Sequence, residues 1–226
     1  MTPTFSVMDS EVGEFNIPMW VKDLKSFRKW ADEDVELDFG RVGYLKGVVW
    51  VDMSKEQLYT HNAVKTELTI VIGSLVKRER LGRYFSDGVL IVSVPADVAG
   101  QPDGVFVSFE ALNSGRVTEV VSRRDGGYTE LAGAPDLVIE VVSRSSVKKD
   151  LVRLRQAYRE AGIPEYWLID ARKEPVTFEI LRATTRGYAA ARKADGWVKS
   201  GVLGRWFRLT AGTDERGRPE FTLEVR

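Results

Sequence analysis

The sequence predicts one α/β domain: a mixed central sheet flanked by helices, with antiparallel strand decorations. Three observations predict it. The run Leu137-Val138-Ile139-Glu140-Val141-Val142 has the branched apolar composition of a strand covered on both faces. A helical pattern and a second buried strand, residues 165–170, follow it. Short alternating runs then continue toward the C-terminus, as antiparallel strands do.

Each element has a local reason. Val21, Leu24, Phe27 and Trp30 recur at helical period, giving a short amphipathic helix over 21–31. Residues 1–18 read as a loosely ordered leader, and 19–226 as a single domain. Residues 44–52 read as two strands turning at Lys46-Gly47. Ser54 is placed to cap the next helix, whose apolar spacing runs from His61 to Lys77 and which Gly82 ends. Residues 84–85, 89–94 and 105–108 are strand material. Residues 117–121 and 128–131 flank Arg124-Asp125-Gly126-Gly127, a hairpin signal. After the Glu140 strand, Ser145 or Ser146 caps a helix that Ala161-Gly162-Ile163-Pro164 terminates. Strand 165–170, a hairpin pair at 176–181 and 188–191, and antiparallel tail strands at 206–209 and 220–225 complete the order.

Composition narrows the chemistry. The chain has 226 residues, 43% of them apolar, enough for a substantial core. No cysteine is present, which excludes disulfides, thiolate nucleophiles and cysteine zinc sites. One histidine, His61, excludes a multi-histidine metal site within the chain. No apolar run approaches the ~20 residues of a membrane span. The N-terminus has no basic-then-apolar signal segment, so the expectation is a cytoplasmic protein. Charge balances at 33 basic and 33 acidic residues, which argues against a generic polyanion binder. It is nevertheless segregated: between 144 and 159, Arg144, Lys148, Lys149, Arg153, Arg155 and Arg159 face Asp150 alone. Lys77, Arg78, Arg80 and Arg83 form a second cluster. Each is either a solvated helix face or a phosphate-binding surface.

Glu140 is the most informative residue. A carboxylate inside a covered strand loses hydration and needs compensation from a metal ion, a cationic side chain or a raised pKa. Asp103 follows a proline and opens a neighbouring short strand, so Asp103 and Glu140 can converge if the two strands pair. Two carboxylates with no histidine or cysteine ligand suit Mg²⁺ or Mn²⁺ completed by water and substrate phosphate. The alternatives are a structural ion pair for Glu140, ordinary turn chemistry for Pro-Asp, and a glycosidase-type acid and nucleophile pair. His61 reads as a structural hydrogen-bonding residue near a helix start rather than a general base.

The block Pro135-Asp136-Leu137-Val138-Ile139-Glu140-Val141-Val142-Ser143 is followed by Lys149-Asp150, Tyr158 and Ala161-Gly162-Ile163-Pro164-Glu165-Tyr166-Trp167-Leu168-Ile169-Asp170. It closely resembles the Uma-two family of bacterial endonucleases, which have the restriction-endonuclease-like PD-(D/E)XK fold. Thr60-His61-Asn62 and Pro102-Asp103 also fit, and the resemblance covers residues 20–226. It implies that Asp103 and Glu140 bind the metal. The lysine of the pattern belongs two residues after the glutamate, where Val142 stands. The relocated position, on the following helix, is Leu154. Lys149 is then the candidate catalytic lysine, with Lys148, Arg153 and Arg155 as nucleic-acid contacts. Glu67 is a candidate helix-borne acidic residue in competition with Glu56, and His61 and Asp150 complete the set. The expected function is Mg²⁺- or Mn²⁺-dependent hydrolysis of DNA phosphodiesters, with a homodimer implied by resemblance. The alternative is a nuclease-fold protein that binds nucleic acid or a partner without cutting, which the two missing lysines and the zero net charge favour.

Overall fold

Strand Leu137–Val141 is buried along its whole length, Glu140 included, as its branched apolar residues on both faces predict. The computed structural model describes residues 4–9, 13–33, 41–52, 54–124, 126–143 and 149–226. In it this strand lies inside a six-stranded mixed sheet, in the order Gly187–Ala190, Thr177–Thr184, Glu165–Asp170, Leu137–Val141, Gly104–Ser108, Gly82–Phe85. Leu137–Val141 and Glu165–Asp170 pair in parallel, which demands a crossover, and the crossover is helical. The other neighbours in this sheet are antiparallel.

Among the described residues the α-helices are α1 (Leu24–Glu33), α2 (Ala63–Glu79), α3 (Phe109–Asn113) and α4 (Arg155–Glu160). Alternation along the Glu140 strand sends Leu137, Ile139 and Val141 toward α2, where they join Val64, Leu68 and Ile72. Val138 and Val142 point the other way, toward Leu154 and Tyr158 of the α4 region. Each fully buried large aliphatic residue contributes about 1.5–3 kcal/mol relative to exposure. A second six-stranded sheet carries Arg41–Leu45, Leu90–Ser93, Val98–Gly100 and the hairpin Val117–Val121 with Tyr128–Gly133. Phe27 and Trp30 of α1 pack on it against Val42, Tyr44 and Val92. The tail forms a four-stranded antiparallel sheet whose Phe207, Phe221 and Leu223 join the α2 core. Residues expected as a leader include an antiparallel hairpin, Thr4–Asp9 with Gly13–Pro18.

Two expected helix boundaries are corrected. The α2 region is capped by Gln57, not Ser54: the Gln57 Oε1 accepts the Tyr59 and Thr60 N–H groups at 2.6 and 2.5 Å. Ser54 instead donates to Asp52 at 2.6 Å. α2 ends through Arg80 in the left-handed conformation, φ 54°, rather than through Gly82. Gly82 is needed for a different reason, since a Cβ there would sit 2.0 Å from the Val107 carbonyl oxygen.

Candidate metal centre

Asp103 stands at the mouth of its strand. Ile139 pairs with Gly104, so Asp103 and Glu140 occupy the next positions across the end of the antiparallel ladder. The Asp103 Oδ2 accepts the Val141 N–H at 2.7 Å, which locks the carboxylate over the end of the Glu140 strand. Both carboxylates are buried, at 4% and 2% exposure.

Their remaining partners differ. The Glu140 Oε1 accepts the Tyr158 hydroxyl of α4 at 2.7 Å. A tyrosine hydroxyl is thus among its compensating partners, which the sequence reading did not consider. Asp103 meets a polar cluster built by three other elements. The tight turn Leu58–Asn62 before α2 places His61 Nε2 3.5 Å from Asp103 Oδ2 and His61 Nδ1 3.4 Å from Glu56 Oε2. Arg41, at the start of its strand, donates to Asp103 at 2.7 Å, to Glu56 at 2.5 Å and to Asp87 at 2.8 Å. Lys65, one helical turn after His61, lies 2.9 Å from Glu56, 2.5 Å from Asp87 and 3.8 Å from Asp103. Glu56, His61 and Asp103 each offer a ligand atom, all within 4.8 Å of one another. Glu140 is not a member of this triad.

Electrostatics follow from the geometry. Burial alone would lower the His61 pKa, but the Asp103 and Glu56 carboxylates outweigh it and raise it to about 9. Burial would raise Asp103; His61 and Arg41 outweigh that and hold it well below the ordinary carboxylate range. The His61 contact first, then Lys65 and Arg41, bring Glu56 down to about 2 against the effect of burial. With His61 protonated, three cations face Glu56, Asp87 and Asp103. His61 Nδ1 is nonetheless buried without a hydrogen-bond partner. Nδ1 faces Glu56 and Nε2 faces Asp103; one imidazole nitrogen with the two carboxylates is a donor set that a divalent cation can take.

A pH dependence of stability follows in metal-free protein. Because His61 is raised in the folded state, its contribution is complete below about 6.5 and is lost as pH rises through about 9. The expected loss over that window is on the order of 1–2 kcal/mol after allowing for solvent screening, read as a falling urea midpoint. His61→Gln removes this dependence. Glu56 adds the opposite arm, a loss of stability as pH falls from about 4.5 toward 2.

The other sequence candidates fall in several places. Glu67 accepts the Leu223 N–H at 2.8 Å and ties α2 to the tail sheet, leaving Glu56 as the acidic residue in the cluster. Val142 and Leu154 are each 1% exposed in one apolar cluster, where an ammonium group would find no water. Lys149 and Asp150 begin the turn Lys149–Leu154, but their side chains lie outside the described residues, as does all of Lys148. Arg153 is exposed. Arg155 and Arg159 donate to the Tyr188 and Thr184 carbonyls, so part of the basic run fastens α4 to the strand Gly187–Ala190 and its partner. The structure brings His61, a secondary candidate of the sequence reading, to Asp103, together with Arg41, Lys65 and Asp87, which that reading did not name. The i, i+4 spacing of His61 and Lys65 was a usable signal that they share a helix face.

Comparison with known proteins bears on this arrangement. A family model described as Uma2, "putative restriction endonuclease", matches residues 25–211. The chain belongs to the Uma2 family. A solved structure of a putative nuclease of DUF820 from Anabaena variabilis ATCC 29413 is similar in fold. Its TM-score is 0.59 at 21% identity, covering 80% of this chain and 90% of that one. No curated protein matches. The restriction-endonuclease-like fold expected from the sequence is therefore the observed one, and in this Uma2 member the Pro102-Asp103 segment and the Glu140 strand lie side by side at its centre. No helix among the described residues is long and apolar enough to cross a membrane.

Proposed function

We propose that the chain is a divalent-metal-dependent nuclease that hydrolyses DNA phosphodiesters. The observation that carries this reading is the Glu56–His61–Asp103 triad at the strand end, with His61 and Asp103 buried, Glu56 half-buried and Lys65 beside it. Asp103, Glu56 and His61 would hold the ion; Glu140, across the ladder from Asp103, lies on the α4 face of its strand, where Tyr158 donates to it. The ion would polarise the phosphoryl group and lower the pKa of the attacking water. Lys65 supplies the ammonium that the apolar Val142 and Leu154 cannot, and stabilises charge developing on the phosphate. Arg41 is the second phosphate clamp once the ion takes over its carboxylate partners. A nitrogen ligand makes the site less suited to Mg²⁺ than an all-oxygen one and favours Mn²⁺.

A second reading has its own observation. Arg41, Lys65 and protonated His61 already neutralise Glu56, Asp87 and Asp103, so the cluster is also complete as an ion-pair network. In that case the protein binds nucleic acid or a partner without cutting. Incubation of supercoiled plasmid with Mn²⁺, Mg²⁺ or chelator separates the two. Nicking that needs metal and is faster with Mn²⁺ supports the nuclease. Intact plasmid under every condition, with the protein still bound to it, leaves the binding module.

A further inference from the structure

A cavity of about 740 Å³ runs between α1 and the hairpin of Val117–Val121 with Tyr128–Gly133. Its walls carry Lys25, Arg28, Lys29, Arg123 and Arg124 against Asp23, Asp32 and Glu130. The three acids are held by neighbours. Glu130 takes two bonds from Arg28, at 2.5 and 3.0 Å. Asp23 accepts the Ser26 N–H at 2.7 Å, and Asp32 the Arg123 N–H at 3.0 Å. Lys25, Lys29, Arg123 and Arg124 have exposed side chains along the rim. Apolar surface lies between these charges. Trp20 lines one wall and Val121, half exposed, the other. Tyr128, 70% exposed, stands opposite Val121 across the hairpin.

Val42, Gly88 and Gln101 also line the groove, next in the chain to Arg41, Asp87 and Pro102; none of Glu56, His61 and Asp103 lines it. Trp20 is the aromatic residue of the lining, with the Lys29 ammonium 5.6 Å from its ring centre; cations around an aromatic ring bind a nucleic-acid strand by its phosphates and by base stacking. The volume lies in the range of a pocket for one small ligand rather than the broad surface a duplex occupies. We infer that this groove binds a single DNA strand; that the strand is a substrate of the Glu56–His61–Asp103 centre rests on the nuclease reading.

The test is fluorescence anisotropy with a labelled 12-nucleotide single DNA strand in chelator, where no cutting occurs. Arg123→Ala/Arg124→Ala is expected to weaken binding about tenfold at low salt and to flatten the salt slope by about 1.4. Trp20→Leu, which keeps an apolar side chain, is expected to weaken it about five- to tenfold through lost stacking. Unchanged circular dichroism confirms that both variants fold. Wild-type affinity in the double variant overturns the groove, as does equal or tighter binding of a duplex or an RNA strand that the same substitutions weaken. The two readings fail separately. Strand binding that depends on the groove, in a wild-type protein that cuts nothing with Mn²⁺, keeps the groove and removes the nuclease. Mn²⁺-dependent cutting by a double variant of unchanged affinity does the reverse.

Discussion

Asp103→Ala is expected to abolish metal binding and to reduce DNA nicking to background. The carboxylate is the one group that touches His61, Arg41 and the Val141 N–H together. Without it, His61, Arg41 and Lys65 face one another with one carboxylate fewer, and a buried backbone donor is orphaned. Removing one partner of a buried ion pair costs about 3–5 kcal/mol, so the urea midpoint falls as well. Asp103→Asn separates the two effects. Its amide oxygen still accepts a hydrogen bond from Arg41 or Val141, so it loses less stability than alanine, while its metal affinity and nicking fall to the alanine level. An asparagine variant that nicks DNA at the wild-type rate would remove Asp103 from the chemistry.

Lys65→Met is expected to lower nicking by about 10²–10³-fold while leaving metal affinity unchanged or higher. That factor is the usual cost of deleting one preorganised donor aimed at developing charge. The ammonium would compete with a bound metal for Glu56, at 2.9 Å, and for Asp103, at 3.8 Å, so its loss would free those oxygens. Methionine fills the aliphatic volume of this largely buried side chain. Lys65→Arg restores part of the rate, since the charge returns with a different shape. Equal loss of metal affinity and rate in Lys65→Met would mean that the lysine only holds the carboxylates in place. The same assay on Lys149→Ala tests the lysine favoured on sequence grounds.

Much of the frame was readable from local chemistry. The Glu140 strand announced itself by branched residues on both faces, and the helix after it by its apolar spacing and its termination at Ala161-Gly162; its expected cap, Ser145 or Ser146, lies outside the described residues. Asp103 was readable because proline fixes the entry to a short strand that the sheet then pairs with the Glu140 strand. Glu140 was singled out by the cost of burying a charge, and its burial at 2% exposure agrees. The cluster around Asp103 was not readable in the same way. Arg41 comes from the second sheet, Asp87 from the loop before Leu90–Ser93 and Glu56 from the segment before α2. None of these has a sequence pattern that distinguishes it from a surface charge, because its neighbours arrive only with the tertiary fold. The helix boundaries were misjudged for a local reason: a glutamine side chain can cap, and an arginine can adopt the left-handed conformation, where serine and glycine are the stronger expectations.

The proton balance of Mn²⁺ binding tests the centre most directly. His61 carries a proton near neutral pH, with its pKa raised to about 9, and must lose it to ligate a metal. Calorimetry at pH 7 in two buffers of different ionisation enthalpy should therefore show about one proton released per Mn²⁺ bound. His61→Ala should bind more weakly and release none, and Glu140→Gln should still release it. Mn²⁺ binding with no proton release in the wild type, or binding lost with Glu140→Gln and kept with His61→Ala, would contradict a centre built on Glu56, His61 and Asp103.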